Sequence, residues 1–105
     1  MTSTHARLIQ KRRVKLDDAS FVELVIWRVP KPLAGSRHDF KYRLALVVNE
    51  TCVLRYDNEA GKGDHRHVGG REELVHFVSM EQVLGDFWAD VAQWRRRNDS
   101  PHVDD

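Results

Sequence analysis

The stretch FKYRLALVVNETCVLRY, residues 40–56, decides the fold of this chain. Apolar residues stand at every even position from 40 to 48, whereas Lys41 and Arg43 stand at the first two odd positions. Because successive side chains of a β-strand point to opposite faces, this alternation predicts a strand with one buried face. The sequence NET (49–51) has the composition of a tight turn, so the residues after it return as the next strand of an antiparallel hairpin.

Strand character extends to both sides of this hairpin. The segments concerned are 7–16, 21–29, 40–48, 52–56 and 74–78. The second, FVELVIWRV, is rich in β-branched and aromatic residues, which indicates a well-buried strand. In the first, RLIQKRRVKL, apolar and polar residues alternate imperfectly. The turn sequence DDAS that follows it favours a hairpin with the second segment, and a short helix is the alternative. Prolines and a glycine then open a loop that ends near His38.

A helix is predicted from Ser79 onward. Ser79 and Gln82 fit a capping box, and the three consecutive arginines near the end suit a helix C-terminus. Apolar residues recur at helical spacing, at Met80, Val83, Leu84, Phe87, Val91 and Trp94. We interpret this stripe as core packing and assign all three tryptophans, Trp27, Trp88 and Trp94, to the core. The fold class predicted is α+β, an antiparallel β-sheet (a meander of four to five strands) packed against a C-terminal α-helix.

Length and composition describe one globular domain. The 105 residues are 41% hydrophobic and 31% charged, which is ordinary for a single soluble domain. We assign residues 1–98 to this domain and residues 99–105 to a polar, acidic, disordered tail. The sequence has no apolar run of about 20 residues and no apolar core of a secretory signal near its start. Cys52 is the single cysteine, so no intramolecular disulfide forms, and a cytoplasmic location is expected.

Basic residues are unevenly distributed, although the net charge is only +1. They crowd both ends of the domain, at Arg7, Lys11, Arg12, Arg13 and Lys15 and at Arg95, Arg96 and Arg97. Such a cluster is either a solvated face or a contact with nucleic acid, and the residues alone leave both interpretations open.

A glycine-rich segment, YDNEAGKGDHRHVGG (56–70), carries most of the reactive side chains of the chain. The glycines predict a flexible loop. In an extended chain, residues two positions apart point to the same face, so His65 and His67 would project side by side. Paired imidazoles suit either metal binding or proton transfer near neutral pH. An ordinary solvated surface loop is the third interpretation.

The metal interpretation joins Asp64 to His65 and His67. Further ligands are available in Asp57, His76 and His38, but their spacing is not diagnostic of a metal site. This arrangement would make the protein a metal-dependent hydrolase or transferase.

The RNA-cleavage interpretation uses more of the segment. His65 and His67 would act as base and acid, and Asp57 or Asp64 would orient an imidazole. Tyr56 would serve as an acid or stack on a base. The catalytic set predicted is therefore His65, His67, Tyr56, Lys62 and Asp57. The substrate-binding set is Arg55, Asn58, Arg66 and Arg71. Its three arginines would place positive charge near phosphate. No cofactor and no metal are assigned in this interpretation.

Several motifs together resemble the TumE family of bacterial toxin–antitoxin toxins. They are VELVIWRVP, FKYRLALVV, RYDN, KGDHRHVGGRE, HFVS and DFWADV, and they run from about Leu8 to Trp94. The resemblance implies a small cytoplasmic toxin that inhibits growth and is neutralised by an antitoxin with a helix-turn-helix DNA-binding domain. Relatives often carry further histidines in the glycine-rich segment, where this chain has Glu59, Ala60 and Asp64. That departure argues against a metal cluster.

Residues and resemblance together predict a toxin that acts on RNA as a metal-independent endoribonuclease. Its partners would be a cognate helix-turn-helix antitoxin and an RNA substrate, with no membrane, and assembly into a homo-oligomer stays open. One alternative is a nucleic-acid-binding module without catalysis, and the other is the metal-dependent hydrolase or transferase.

Overall fold

A computed structural model describes residues 5–98 as a six-stranded antiparallel sheet and one helix. The strands pair in chain order. They are β1 (Arg7–Asp17), β2 (Ser20–Arg28), β3 (Phe40–Val48), β4 (Thr51–Glu59), β5 (Gly63–Val68) and β6 (Arg71–Leu74), and α1 (Met80–Asn98) follows them. The predicted α+β meander with a C-terminal helix is confirmed, with six strands in place of four or five. The predicted tail, 99–105, lies outside the described residues.

The core lies between α1 and one face of the sheet. The even-numbered side chains of β2, β3 and β4 form the apolar layer, and α1 adds every third or fourth residue. The buried apolar side chains facing each other are Val22, Leu24, Ile26, Tyr42, Leu44, Leu46, Leu54, Tyr56, Val83, Phe87 and Val91. The Phe87 ring meets the edge of the Tyr56 ring at a centroid distance of 6.0 Å. The helical stripe predicted from the sequence is therefore the helix side of the core.

The first predicted hairpin and the helix start are confirmed. Residues 7–17 form a strand and not a helix, and Val14 pairs with Val22 across β1 and β2. At the start of α1, the Gln82 backbone N–H donates to Ser79 Oγ at 3.1 Å, as the capping pattern predicts.

The glycine-rich segment is not a flexible loop, and this prediction is wrong. β4 continues through Glu59, and β5 returns along it in an antiparallel register that places His65 opposite Asp57. Gly61 and Gly63 have φ angles of 86° and 75°, a conformation that glycine adopts without strain, so they make the tight reversal of a hairpin. The sequence pattern does not predict β5, because polar and charged residues occupy both faces of this strand and it therefore lacks apolar alternation.

The fifth strand predicted at 74–78 is also wrong. β6 occupies Arg71–Leu74, and the chain then leaves the sheet. The apolar character of this segment serves packing, because the Phe77 ring stacks on the His38 ring at a centroid distance of 3.6 Å.

Trp27 does not lie in the core, which corrects a third prediction. It pairs with Lys41 of β3, on the odd-numbered face of β2, and that face is turned away from α1. Trp88 and Trp94 do pack against the core from the helix, as expected. The sheet thus has a helix face, covered by α1, and an open face that carries Trp27.

Removing the centre of this core should destabilise the domain strongly. Phe87 is 0% exposed, so Phe87→Ala should lower the free energy of unfolding by about 3–5 kcal/mol through lost burial and a cavity. Val78, 62% exposed, is the control, and Val78→Ala should stay within about 0.5 kcal/mol of the parent. Urea unfolding measures both. Similar urea midpoints for Phe87→Ala and Val78→Ala would contradict the assignment of Phe87 to the centre of the core.

Candidate functional site

The open face of the sheet brings four of the predicted site residues together. On β5, His65 and His67 point away from α1, as residues two positions apart in a strand must. On β4, Asp57 lies directly opposite His65, and Arg55 lies directly opposite His67. The two imidazole centroids are 6.4 Å apart. Cross-strand pairing therefore builds a compact set of two imidazoles, a carboxylate and a guanidinium.

Hydrogen bonding orients the first imidazole. His65 Nδ1 lies 3.1 Å from the carbonyl oxygen of Gly63. Because a carbonyl only accepts, Nδ1 must carry the proton of this bond, and Nε2 becomes the nitrogen that can exchange a proton with a substrate. His65 Nε2 is 4.0 Å from the nearest carboxylate oxygen of Glu72.

The second imidazole lies between two carboxylates. His67 Nε2 is 3.2 Å from Glu72 Oε2 and 3.7 Å from Asp57 Oδ1. The pair is therefore asymmetric, since two carboxylates approach His67 Nε2 more closely than Glu72 approaches His65 Nε2.

Arg55 brings an unused hydrogen-bond donor to the same place. Its Nε lies 3.0 Å from Asp57 Oδ2, within ion-pair distance. The N–H is nevertheless not aligned with that oxygen, and Arg55 Nε is the one buried side-chain nitrogen or oxygen among residues 5–98 that makes no hydrogen bond. The Arg55 side chain as a whole is 29% exposed, so its guanidinium can still meet an arriving anion.

An open depression of about 430 Å³ adjoins this set on the same face. Its lining includes Val25, Trp27, Lys41 and Arg43 together with Arg55 and Asp57. Sequence reasoning missed Trp27 and Arg43 as site residues. No sequence signal separates Trp27 from the core, because β2 carries apolar residues on both faces and only the fold shows that Val22, Leu24 and Ile26 are the buried ones.

Two predicted residues, Tyr56 and Arg66, lie instead on the helix face. A third, Asn58, bonds the backbone of β3, since its Nδ2 donates to Phe40 O at 2.8 Å and its Oδ1 accepts from Tyr42 N–H at 3.0 Å. The Tyr56 hydroxyl donates to Asp90 Oδ2 at 2.5 Å, and Arg66 Nε donates to the same carboxylate oxygen at 2.8 Å. Burial, followed by this bond to Asp90, raises the pKa of Tyr56 above its ordinary value. These two side chains hold α1 against the sheet and do not meet His65 or His67.

The last two predicted residues lie at turns. Lys62 is exposed in the β4–β5 turn, where it lines a second depression of about 670 Å³ with Arg37 and His76. Arg71 is exposed at the start of β6 and pairs with Val68. The backbone registers place neither side chain beside the two imidazoles.

A buried carboxylate cluster around Asp64 was not foreseen. Asp64 accepts hydrogen bonds from Ser36 Oγ at 3.0 Å, from Tyr42 OH at 2.6 Å and from His38 Nε2 at 2.9 Å. The Phe40 N–H donates to His38 Nδ1 at 3.2 Å, so the proton of this imidazole sits on Nε2. Burial, followed by the bond to Asp64, raises the pKa of Tyr42.

This cluster fastens the loop between β2 and β3 to the β4–β5 hairpin. Gly61 N–H donates to Ala34 O at 2.6 Å. A Cβ on Gly35 would approach Gly63 N to 2.9 Å, so only glycine permits this contact. Since both ring nitrogens of His38 are occupied, we assign the cluster a positioning role.

The metal-ligand set considered from the sequence does not converge. Asp64 points to the helix face, whereas His65 and His67 point to the open face, because adjacent strand residues alternate. Among residues 5–98, no group of three or more His, Cys, Asp or Glu side chains is arranged to hold a metal ion.

Comparison with known proteins identifies the family. The sequence model of the family described as Toxin TumE matches residues 3–95. The chain therefore belongs to the TumE toxin family. No curated protein and no solved structure matches it significantly. No helix among residues 5–98 is both long and apolar enough to cross a membrane.

Loss of the Asp64 carboxylate should weaken the fold. Asp64→Ala leaves one buried donor, Tyr42 OH, and two partly buried donors without an acceptor, so the free energy of unfolding should fall by roughly 2–5 kcal/mol. Glu59→Ala, an exposed acidic residue at the end of the same hairpin, should change it by less than about 0.5 kcal/mol. Chemical unfolding of both variants is the measurement. An Asp64→Ala midpoint equal to that of Glu59→Ala would contradict the anchoring role.

Proposed function

Because the chain belongs to the TumE toxin family, we propose that it acts on RNA as a metal-independent endoribonuclease whose catalytic groups lie on the open face of the sheet. Family membership makes the protein a toxin of a toxin–antitoxin system. The observation that carries the proposed chemistry is the His65–His67 pair, with its fixed tautomer, its flanking carboxylates and the unsatisfied N–H of Arg55 beside it.

The reaction that suits this set is attack of an RNA 2′-oxygen on the adjacent phosphorus. His65 Nε2 would take the 2′-hydroxyl proton as the new P–O bond forms. Protonated His67 would give its proton to the departing 5′-oxygen as the old bond breaks. The products are a 2′,3′-cyclic phosphate and a free 5′-hydroxyl, so protons balance over the step. Arg55 would hold the non-bridging oxygens as their negative charge grows.

The carboxylates have a distinct role in this scheme. Glu72 and Asp57 lie 3.2 and 3.7 Å from His67 Nε2 and would hold its imidazole in place for proton transfer. Asp57 is itself held by the side chain of Arg55. The sheet would thus supply both the acid and its support from adjacent strands.

A cognate antitoxin is the partner that membership of the family implies. We propose that it carries a helix-turn-helix domain, that both proteins meet in the cytoplasm, and that the antitoxin covers the open face. Covering that face would exclude substrate directly. The charged groups there would speed association and make it sensitive to salt.

The alternative, nucleic-acid binding without catalysis, is favoured by one observation. On β1, Lys11, Arg13 and Lys15 pair with odd-numbered residues of β2 and therefore extend the open face as a basic edge. Such an edge would attract any phosphate backbone, whether or not cleavage follows.

Expression of the chain alone in a bacterial host should arrest growth, and co-expression of its cognate antitoxin should restore it. Colony counts after induction measure this effect. The Phe87→Ala variant, weakened in its core, is the control for dependence on the folded domain. Normal growth at high levels of folded wild-type protein would contradict the toxin assignment.

The histidine pair should be required for cleavage. His65→Ala and His67→Ala should each lower the single-turnover rate on a mixed-sequence RNA by roughly two to four orders of magnitude, because each removes one proton-transfer group. The wild-type rate should rise and then fall with pH, because the mechanism needs one deprotonated group and one protonated group. EDTA should leave the rate unchanged, since the imidazoles carry protons.

His76→Ala is the matched control for these variants. His76 is exposed and lies outside the open-face set, so its replacement should preserve the rate. Full activity in both His65→Ala and His67→Ala would overturn the catalytic assignment. Loss of activity in EDTA, with recovery in Mn²⁺ or Zn²⁺, would replace it with metal-dependent hydrolysis. RNA binding without cleavage products would favour the non-catalytic alternative.

A further inference from the structure

We infer that Trp27 forms a stacking platform for an unpaired base of the bound RNA. This base belongs to a nucleotide that lies further along the RNA chain than the scissile phosphate. The inference deepens the proposed function and rests on it for the link to cleavage. The platform itself is a binding site and can be tested without any cleavage.

The surroundings of Trp27 differ from those of the other two tryptophans. Trp88 meets the Phe87 ring edge-on at a centroid distance of 5.7 Å, and Trp94 packs against the core. Within residues 5–98, the Trp27 indole has no aromatic partner, and it lines the open depression of about 430 Å³. A large aromatic side chain that packs on neither core nor helix is a candidate contact for a ligand.

Cations lead from the imidazole pair towards Trp27. Arg55 lies opposite His67, and Arg43 lies opposite Asp57 on the next strand. Lys41 lies directly beside Trp27. These three cations line the same depression, which also carries the carboxylates of Asp57 and Glu59. Because the cations outnumber the carboxylates there, a phosphate backbone that left the scissile position could follow them across the sheet.

The distance fits a neighbouring nucleotide. Trp27 lies on β2 and the imidazoles lie on β5, three strand positions away. At about 4.8 Å per strand, the separation across the sheet is roughly 14 Å, and the two-residue offset of Trp27 from Val25, which pairs with Arg43, adds to it. The indole cannot contact the ribose whose 2′-oxygen attacks, so the base that stacks on Trp27 belongs to a nucleotide further along the RNA chain.

A nucleobase fits this depression better than an apolar protein segment does. Its wall carries Lys41, Arg43 and Arg55, which would be desolvated by an apolar partner but paired by phosphates. Every base has a flat π-face, and an indole on an open antiparallel sheet presents a matching surface. Only single-stranded RNA exposes such faces, so the platform selects unpaired RNA over duplex.

The test uses a mixed-sequence RNA oligonucleotide with 2′-O-methyl groups, which cannot be cleaved by 2′-oxygen attack. Wild-type protein should bind it with quenching of tryptophan fluorescence. Trp27→Leu should weaken binding roughly tenfold or more and abolish most of the quenching. Trp27→Phe, which retains a smaller π-face, should recover part of the affinity. The duplex form of the oligonucleotide should bind equally to wild type and Trp27→Leu.

Phe21→Leu is the matched control. Phe21 is also a half-buried aromatic residue of the open face, but the Arg13 guanidinium covers its ring at 4.2 Å. Its replacement should leave oligonucleotide affinity unchanged. An equal loss in Phe21→Leu and Trp27→Leu would overturn a specific platform, and so would unchanged binding in Trp27→Leu.

The outcomes separate this inference from the proposed function. If Trp27→Leu binds normally while His65→Ala and His67→Ala are inactive, the platform is wrong and the nuclease proposal stands. If Trp27→Leu loses binding while both histidine variants cleave normally, the platform stands and the catalytic assignment fails. Loss of antitoxin binding alone in Trp27→Leu, or no binding of the oligonucleotide by wild type, would also overturn the platform.

Discussion

The register between β4 and β5 is the constraint on which the site depends. It places Asp57 opposite His65 and Arg55 opposite His67. A slip of one residue would send both imidazoles to the helix face, because side chains alternate along a strand. The Asp64 cluster opposes such a slip, since its three hydrogen bonds to the β2–β3 loop and β3 form only when Asp64 points towards them. A buried carboxylate on one face thus fixes the geometry of the reactive groups on the other.

The two faces of the sheet divide the polar residues by role. On the helix face, Asp90 accepts hydrogen bonds from Tyr56 and Arg66. Asp64 accepts three hydrogen bonds from the β2–β3 loop and β3. Both carboxylates therefore have their hydrogen-bond partners within the fold. On the open face, Arg55 keeps a buried N–H without a hydrogen bond. Satisfied networks rigidify a structure, whereas an unsatisfied donor is a standing cost that a ligand can relieve. This contrast supports our proposal that the chemistry takes place on the open face.

Periodicity predicted the helix, the hairpins and the core, because apolar alternation records burial directly. It fails where both faces of a strand are polar, so it predicts a loop in place of β5. It also failed for Trp27, since β2 carries apolar residues on both faces and one sequence does not say which face α1 covers. The side-by-side imidazoles followed from their spacing alone. The Asp64 cluster did not, because its partners lie 22 to 28 residues away and only the folded sheet brings them together.

Placing the paired imidazoles on a strand changes what they can do. On a mobile loop, each productive encounter would require the two rings to be ordered against entropy. On β5, the backbone is hydrogen-bonded on both sides, by β4 and by β6, so the centroid separation of 6.4 Å is set before any ligand arrives. Preorganisation of this kind would strengthen the proton transfer and charge stabilisation that we propose, because the two rings would not have to reorganise during the reaction. The reversals that glycine permits lie beside the site, at Gly61 and Gly69, where they allow the hairpins to close without loosening the groups between them.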